Sequence, residues 1–278
     1  MTDSLSAALA TLRHRFGPQA LHRGDQVERS TAWPTGVPVI DTTLTPGGLP
    51  RGRVSVLAAS ARGPSGRLTL LQSLTALASR SCDIGYVDLH GTLDPGFLAD
   101  LGADLDACLV ISPGRRHWER ALVMARALVV AGTPWIGIAL DDDQPATRLW
   151  DHALVALTEA VGKRSTVCVI AAPAPLAAPL AYASSLTLTC APAGWQMAHG
   201  DVAGLRVRVS IRKSRVGAMP SEASLLLRYP RPYAVAEVMG LPTVVTPRLQ
   251  TGDGFLAGDG RTDSAKSAPA AVMAAVPG

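Results

Sequence analysis

Residues 58–72, AASARGPSGRLTLLQ, join an apolar strand-like run to a helix-like one through a loop of Gly, Pro and Ser. A phosphate-binding loop would sit in this place, with the spacing G-x-x-x-x-G-K-[S/T]. Each position has a physical reason: glycines let backbone N–H groups wrap the phosphates, the lysine ammonium reaches the terminal groups, and the hydroxyl completes a magnesium shell. On this chain the pattern falls on Ala61, Gly66, Arg67 and Leu68, so only Gly66 keeps the required type. The planar fork of Arg67 does not replace an ammonium in a tight cradle, Leu68 cannot ligate a metal, and Pro64 removes an N–H. Ser65 and Thr69 carry hydroxyls out of register. In isolation the string reads as a strand-to-helix turn.

The partner of such a loop is a carboxylate at the end of a later buried strand, holding magnesium and its water. The run WIGIAL ends in Leu140, followed by Asp141, Asp142 and Asp143. Three aspartates ahead of Gln144-Pro145 read as a solvated turn or helix cap, with a displaced magnesium site as the other reading. Cys82, Cys108, Cys168 and Cys190 lack CxxC spacing and read as buried free thiols, and the six histidines form no HExxH or HxH pattern, so no metal site is expected.

The elements that position these residues alternate. Strand-like runs at 53–59, 84–89, 108–112, 135–140 and 166–171 are separated by helix-like segments near 66–80, 94–101, 117–131 and 146–162. Continuous apolar strands alternating with helices predict an α/β fold whose mainly parallel sheet is covered by helices on both faces. After Pro179, the runs 184–190, 205–214 and 223–229 follow one another with glycine-containing turns and predict a C-terminal antiparallel extension. Ahead of the core, Leu5, Leu9, Leu12 and Phe16 share one face of a helix over 3–16. The domain reading is an N-terminal helix in 1–24, a linker at 25–35, a core at 36–245 and a Gly/Ala/Pro-rich tail at 246–278 that reads as disordered.

The chain has 278 residues, 47% hydrophobic and 17% charged, with a net charge of +4. Mean hydropathy is +0.21 and the pI about 9.1. This allows one generous domain with a proper core and excludes a fibrous or wholly disordered chain. No apolar run reaches the ~18 residues that would span a bilayer, and the charged N-terminus is unlike a signal peptide, so a cytoplasmic protein without membrane contact is expected.

The order of the pieces resembles the bacterial RecA recombinase family. The phrases that carry the likeness are RFGPQAL, the segment TGVPVIDTTLTPGGLPRGRVSVL, and YVDLHGTLDPGFLADLGADLDACLVISPG, set against the family's GGLP turn, phosphate loop and D-x-E-x-x-L-D-P segment. The resemblance extends over residues 5–230 and implies a RecA-like core. It also implies losses. Arg67 and Leu68 stand in place of the family's lysine and threonine, His90 in place of the glutamate that activates water, Leu140 in place of the magnesium-linked aspartate, and Ala172 near the sensor glutamine. These positions serve one charge-stabilising task, so their joint loss implies a protein that hydrolyses no nucleotide and needs no cofactor.

Other positions match. Phe97 stands where the family stacks an aromatic on adenine, and Lys213 and Arg215 match basic residues presented toward a neighbouring protomer, although alternate residues of a β-run are also simply its solvated face. The two DNA-binding loops are short here and the family's C-terminal domain is replaced by the tail, which implies weak or no direct DNA binding. Such a degenerate paralogue resembles the ImuA group of translesion accessories. The partners then implied are RecA, ImuB and an error-prone replicative-type DNA polymerase subunit, with Leu5, Leu9, Leu12, Phe16, Lys213 and Arg215 at the partner interface. Two alternatives stay open: an active RadA- or KaiC-like ATPase with a variant loop using Arg67, Asp141 and His90, and a DNA-binding recombination regulator using strand 205–215.

Overall fold

Buried strands need apolar residues on both faces, and the central strands of this protein have them. The computed structural model describes residues 6, 10–12, 14–15, 31–143, 145–174, 178–198, 201–216, 221–228 and 237–240. Strand β1 (Ala32–Trp33) pairs with β2 (Leu49–Pro50). Then follow β3 (Arg53–Ala59), helix α1 (Arg67–Ser79), β4 (Ile84–Asp88), α2 (Pro95–Asp100) and β5 (Cys108–Ile111). Next come α3 (Trp118–Ala131), β6 (Trp135–Ala139), α4 (Trp150–Arg164), β7 (Val167–Ala172) and α5 (Ala178–Ala183). Strands β8 (Leu186–Ala198), β9 (Asp201–Ser214), β10 (Glu222–Arg228) and β11 (Glu237–Gly240) complete the described elements.

Among the described residues, nine strands form one sheet in the order β11-β10-β9-β8-β3-β7-β6-β4-β5. From β8 to β5 every pairing is parallel, and from β8 outward to β11 every pairing is antiparallel. The expected α/β architecture is therefore present. One expectation is refined: β8 is the sixth parallel strand, running alongside β3 from Ser55↔Leu186 to Ala59↔Cys190, as well as the first of the antiparallel set. It qualifies because α5 carries the chain back across before β8 begins.

Strand parity divides the interior into two cores. Leu57, Trp135, Ala139, Val167, Val169 and Ala171 face α1, whereas Val54, Val56, Ala58, Ile136, Ile138, Cys168 and Ile170 face α3 and α4. Helix α1 shows little amphipathic contrast because the antiparallel strands fold over its outer side. Leu70, Leu71 and Leu74 share a cluster with Leu205, Val207, Leu225 and Leu227. Each such leucine stabilises the fold by about 1.5–3 kcal/mol relative to exposure. The stretch read as a linker at 25–35 enters the core by Ala32. Trp33 packs 6.2 Å from Trp135 with Arg51 stacked 4.2 Å over its ring, a tertiary partnership that the polar composition of the preceding residues conceals. Among the described residues, no helix is long and apolar enough to cross a membrane.

Candidate functional site

Strand β3 delivers the loop at the carboxyl edge of the sheet, where α/β folds place ligands. The Ser60 amide donates to the Cys190 carbonyl at 2.9 Å, pinning the loop to β8 as it leaves the sheet. Gly66 caps α1 with φ +75°, and its carbonyl accepts the first helical bond from Leu70 N at 2.9 Å. A Cβ at Gly66 would lie 2.6 Å from Val207 Cγ2 and 2.8 Å from Leu227 Cδ1, so only glycine fits between the loop and the antiparallel strands. The surviving motif glycine thus has a packing reason to be there.

Arg67, the first residue of α1, is buried, and its Nη2 donates to Asp142 Oδ1 at 2.6 Å. The second carboxylate oxygen of Asp142 lies 3.6 Å from His90 Nε2. His90 reaches this point because Asp88, buried at the end of β4, accepts from Gly91 N at 2.9 Å and Leu93 N at 3.0 Å and so bends the chain after the strand. Three strand ends therefore bring a guanidinium, a carboxylate and an imidazole together. They border a cleft of about 310 Å³ between Gly63–Thr69 on one side and Trp195 and Leu205 on the other. Chemically, this is a charge pair with apolar walls. Leu68 offers no metal ligand beside it, and among the described residues no three His, Cys, Asp or Glu side chains converge on one point.

The aspartate run is divided among three tasks. Asp141 is fully buried, with Oδ1 accepting from Trp118 Nε1 at 2.8 Å and Oδ2 from Arg116 N at 2.5 Å. This corrects the reading of the run as a solvated turn or cap: Asp141 ties the β5–α3 loop to the end of β6 and holds Arg116 at φ +66°. Asp143 pairs with Arg115 at 2.9 Å near the surface. Sequence reasoning missed Asp142 as the partner of Arg67, and also the exposed Trp195 as a wall of the cleft. A signal for the first was present, since an arginine heading a buried helix needs an acid from some neighbouring strand end.

The other expected positions lie apart. Ala61 is exposed in the loop, and Leu140 and Ala172 are buried in the core beneath α3 and α4. Phe97 sits half-buried in α2. Lys213, expected to face a neighbouring protomer, turns inward: its Nζ donates to the carbonyls of Ala181 at 2.5 Å, Ser184 at 2.6 Å and Tyr182 at 3.3 Å, closing the end of α5. Partial burial lowers its pKa, helped by the charge of Arg215. Arg215 is exposed, with its guanidinium 5.6 Å from the Tyr182 ring centroid. Leu12 is helical and exposed, while Leu5, Leu9, Phe16 and the tail 246–278 lie outside the described residues. Two of the four cysteines are as buried as expected. Burial pushes the Cys168 and Cys190 thiols up to about 12, the nearby Arg67 offsetting part of this at Cys190, whereas Cys82 and Cys108 are only half-buried.

Comparison with known proteins agrees with this architecture. The family model of the RecA N-terminal domain matches residues 3–142, half of the chain. Protein RecA of Clavibacter michiganensis subsp. michiganensis is 38% identical over 135 residues, covering 47% of this chain and 36% of that protein. Protein RecA of Chlorobium limicola is 31% identical over 190 residues, covering 59% of this chain and 52% of that protein. The chain thus spans about a third to a half of the length of these relatives. The match contains β3, the glycine-rich loop, α1 and the first two aspartates after β6, Asp141 and Asp142, and the chain belongs to the RecA family.

Proposed function

We propose that this protein is a RecA-family member that does not hydrolyse nucleotide and acts through protein contacts, as an accessory of DNA damage tolerance. The observation that carries the reading is the ion pair of Arg67 with Asp142. Where hydrolysis needs an unpaired cation and a hydroxyl beside it, this chain has a guanidinium already neutralised by its own carboxylate, followed by Leu68. Asp141 supports it further: fully buried, with one oxygen bonded to Trp118 and the other to Arg116, it does not line the cleft beside Arg67.

The finer reading is an ImuA-like role in translesion synthesis, with RecA, ImuB and an error-prone replicative-type polymerase subunit as partners. The N-terminal helix and the exposed Arg215 are its contact elements. Biolayer interferometry against immobilised RecA, with the full chain and with residues 1–24 deleted, tests the docking element; unchanged affinity would remove it. Calorimetry with MgATP tests the absence of nucleotide chemistry. Binding tighter than about 100 μM, about 5.5 kcal/mol, together with phosphate release would replace this reading by an ATPase using Arg67 and His90. Direct DNA affinity is expected to be weak, and a steep salt dependence traced to 205–215 would favour a DNA-binding regulator.

A further inference from the structure

The cleft at the head of α1 retains features of a site that receives a negative group. Among the described residues, the amides of Gly63, Ser65 and Gly66 meet no acceptor within the chain. Helix α1 has 13 residues and directs its positive end into this space. Arg67, with only 5% of its side chain exposed, lines the cleft, and its buried Nε has no partner; His90 Nδ1 is likewise unpartnered. Among the described residues, the negative group paired with this array is Asp142. Its side chain lines the cleft and is 58% exposed. The opposite wall is apolar, with Leu205 and the half-exposed ring of Trp195.

We propose that this cleft is a docking pocket for a carboxylate-bearing, apolar segment of a protein partner, and that Asp142 is an in-chain stand-in which the partner's acid displaces. The inference rests on the reading of the loop as non-hydrolytic and deepens it by naming the chemistry of the partner. Charge complementarity and shape favour a side-chain carboxylate. The wall formed by Trp195 and Leu205 suits a neighbouring leucine or aromatic residue, and one carboxylate exchanges for another without leaving Arg67 uncompensated. A polyphosphate would instead bring several charges against a single arginine that already has a counterion. The swap adds no charge to the buried array, so the displaced Asp142 simply returns to water.

The test uses the full chain and a panel of fluorescent hexapeptides in which two acidic residues flank Leu, Phe, Trp or Met, each with a matched Asn/Gln control. The expected result is that acidic members bind and amide controls do not. Asp142→Ala should raise the affinity at least tenfold, and acidic peptides should restore the melting temperature this variant loses. Trp195→Ala, at an exposed position that does not hold the core, should abolish preference among the apolar residues. Arg67→Met should reduce binding to the level of the controls. The proposal is overturned if acidic and amide peptides bind alike, if Asp142→Ala gains nothing, or if inorganic triphosphate binds Asp142→Ala more tightly than any peptide. Peptide binding and phosphate release are separate readouts: a failed panel with no ATPase activity rejects the pocket alone, whereas ATPase activity rejects the functional reading beneath it.

Discussion

Arg67 and Asp142 meet at 2.6 Å, yet the arginine side chain is 5% exposed and the aspartate side chain 58%. The two halves of this pair are therefore unequal. Removing Asp142 strands a buried cation, whereas removing Arg67 returns an accessible carboxylate to water. Asp142→Ala is expected to cost about 1–3 kcal/mol, and Arg67→Met less, on the order of 1 kcal/mol, since most of the stem's packing is kept. Urea denaturation of the two variants checks the order; a larger loss for Arg67→Met would contradict it.

Two glycines of one loop should behave differently. Gly66 has φ +75° and two core methyl groups within 3 Å of its missing Cβ; Gly63 has φ +106° and open space. Gly63→Ala meets only backbone strain, about 1–2 kcal/mol, whereas Gly66→Ala adds overpacking of a further 1–3 kcal/mol. Thermal melts of both variants measure the gap.

Asp141→Asn keeps the shape of a fully buried side chain but leaves one carbonyl oxygen where two oxygens accept from Trp118 Nε1 and Arg116 N. One of those donors faces an amide NH2 group instead, at about 1–3 kcal/mol. Altered tryptophan emission from the Trp118–Trp150 pair, whose ring centroids are 5.1 Å apart, should accompany the loss, and an unchanged spectrum would show that Trp118 keeps its partner.

Lys213 and Arg215 are neighbours in sequence with separate tasks. Lys213→Met removes a donor from three carbonyls and is expected to destabilise the fold by about 1–2 kcal/mol. Arg215→Ala is expected to leave the unfolding free energy within about 0.5 kcal/mol of wild type, as for most exposed positions, while weakening the RecA binding that the proposed function calls for, read by interferometry. Equal effects of both changes on both measurements would mean that the two side chains work as one surface.

Cys168 and Cys190 set an upper pH limit on stability. Their thiols titrate near 12 in the folded chain against an ordinary 9.0, so the unfolded chain ionises first. Their contribution is complete below pH 9 and is lost as the pH rises from 9 toward 12, by roughly 1 kcal/mol per thiol at pH 10. Urea midpoints at pH 8 and 10 should fall less in Cys168→Ala/Cys190→Ala than in wild type. Iodoacetamide should label Cys82 and Cys108 in the native protein and the other two only after denaturation.

The strand runs, the helices between them and the α/β class were legible because buried parallel strands must be apolar throughout, a local property of RVSVLAA, WIGIAL or TVCVIA. The absence of a lysine and a hydroxyl after Gly66 was equally plain, since it depends on residue type alone. Other features depended on contacts between residues far apart in the chain. The pairing of Arg67 with Asp142 spans 75 residues, and it forms because β3 and β6, separated in the sheet only by β7, end at the same edge. Asp141 and Asp142 are indistinguishable in a run of three aspartates; a rotation of the chain after β6 buries one against Trp118 and leaves the next in the cleft. Lys213 reads as one member of a basic strand until α5 is seen to end beneath it. Residue types and their periodicity determine which elements form and which chemistry is missing, whereas the partner of each charged side chain is set by where strands distant in sequence end beside one another.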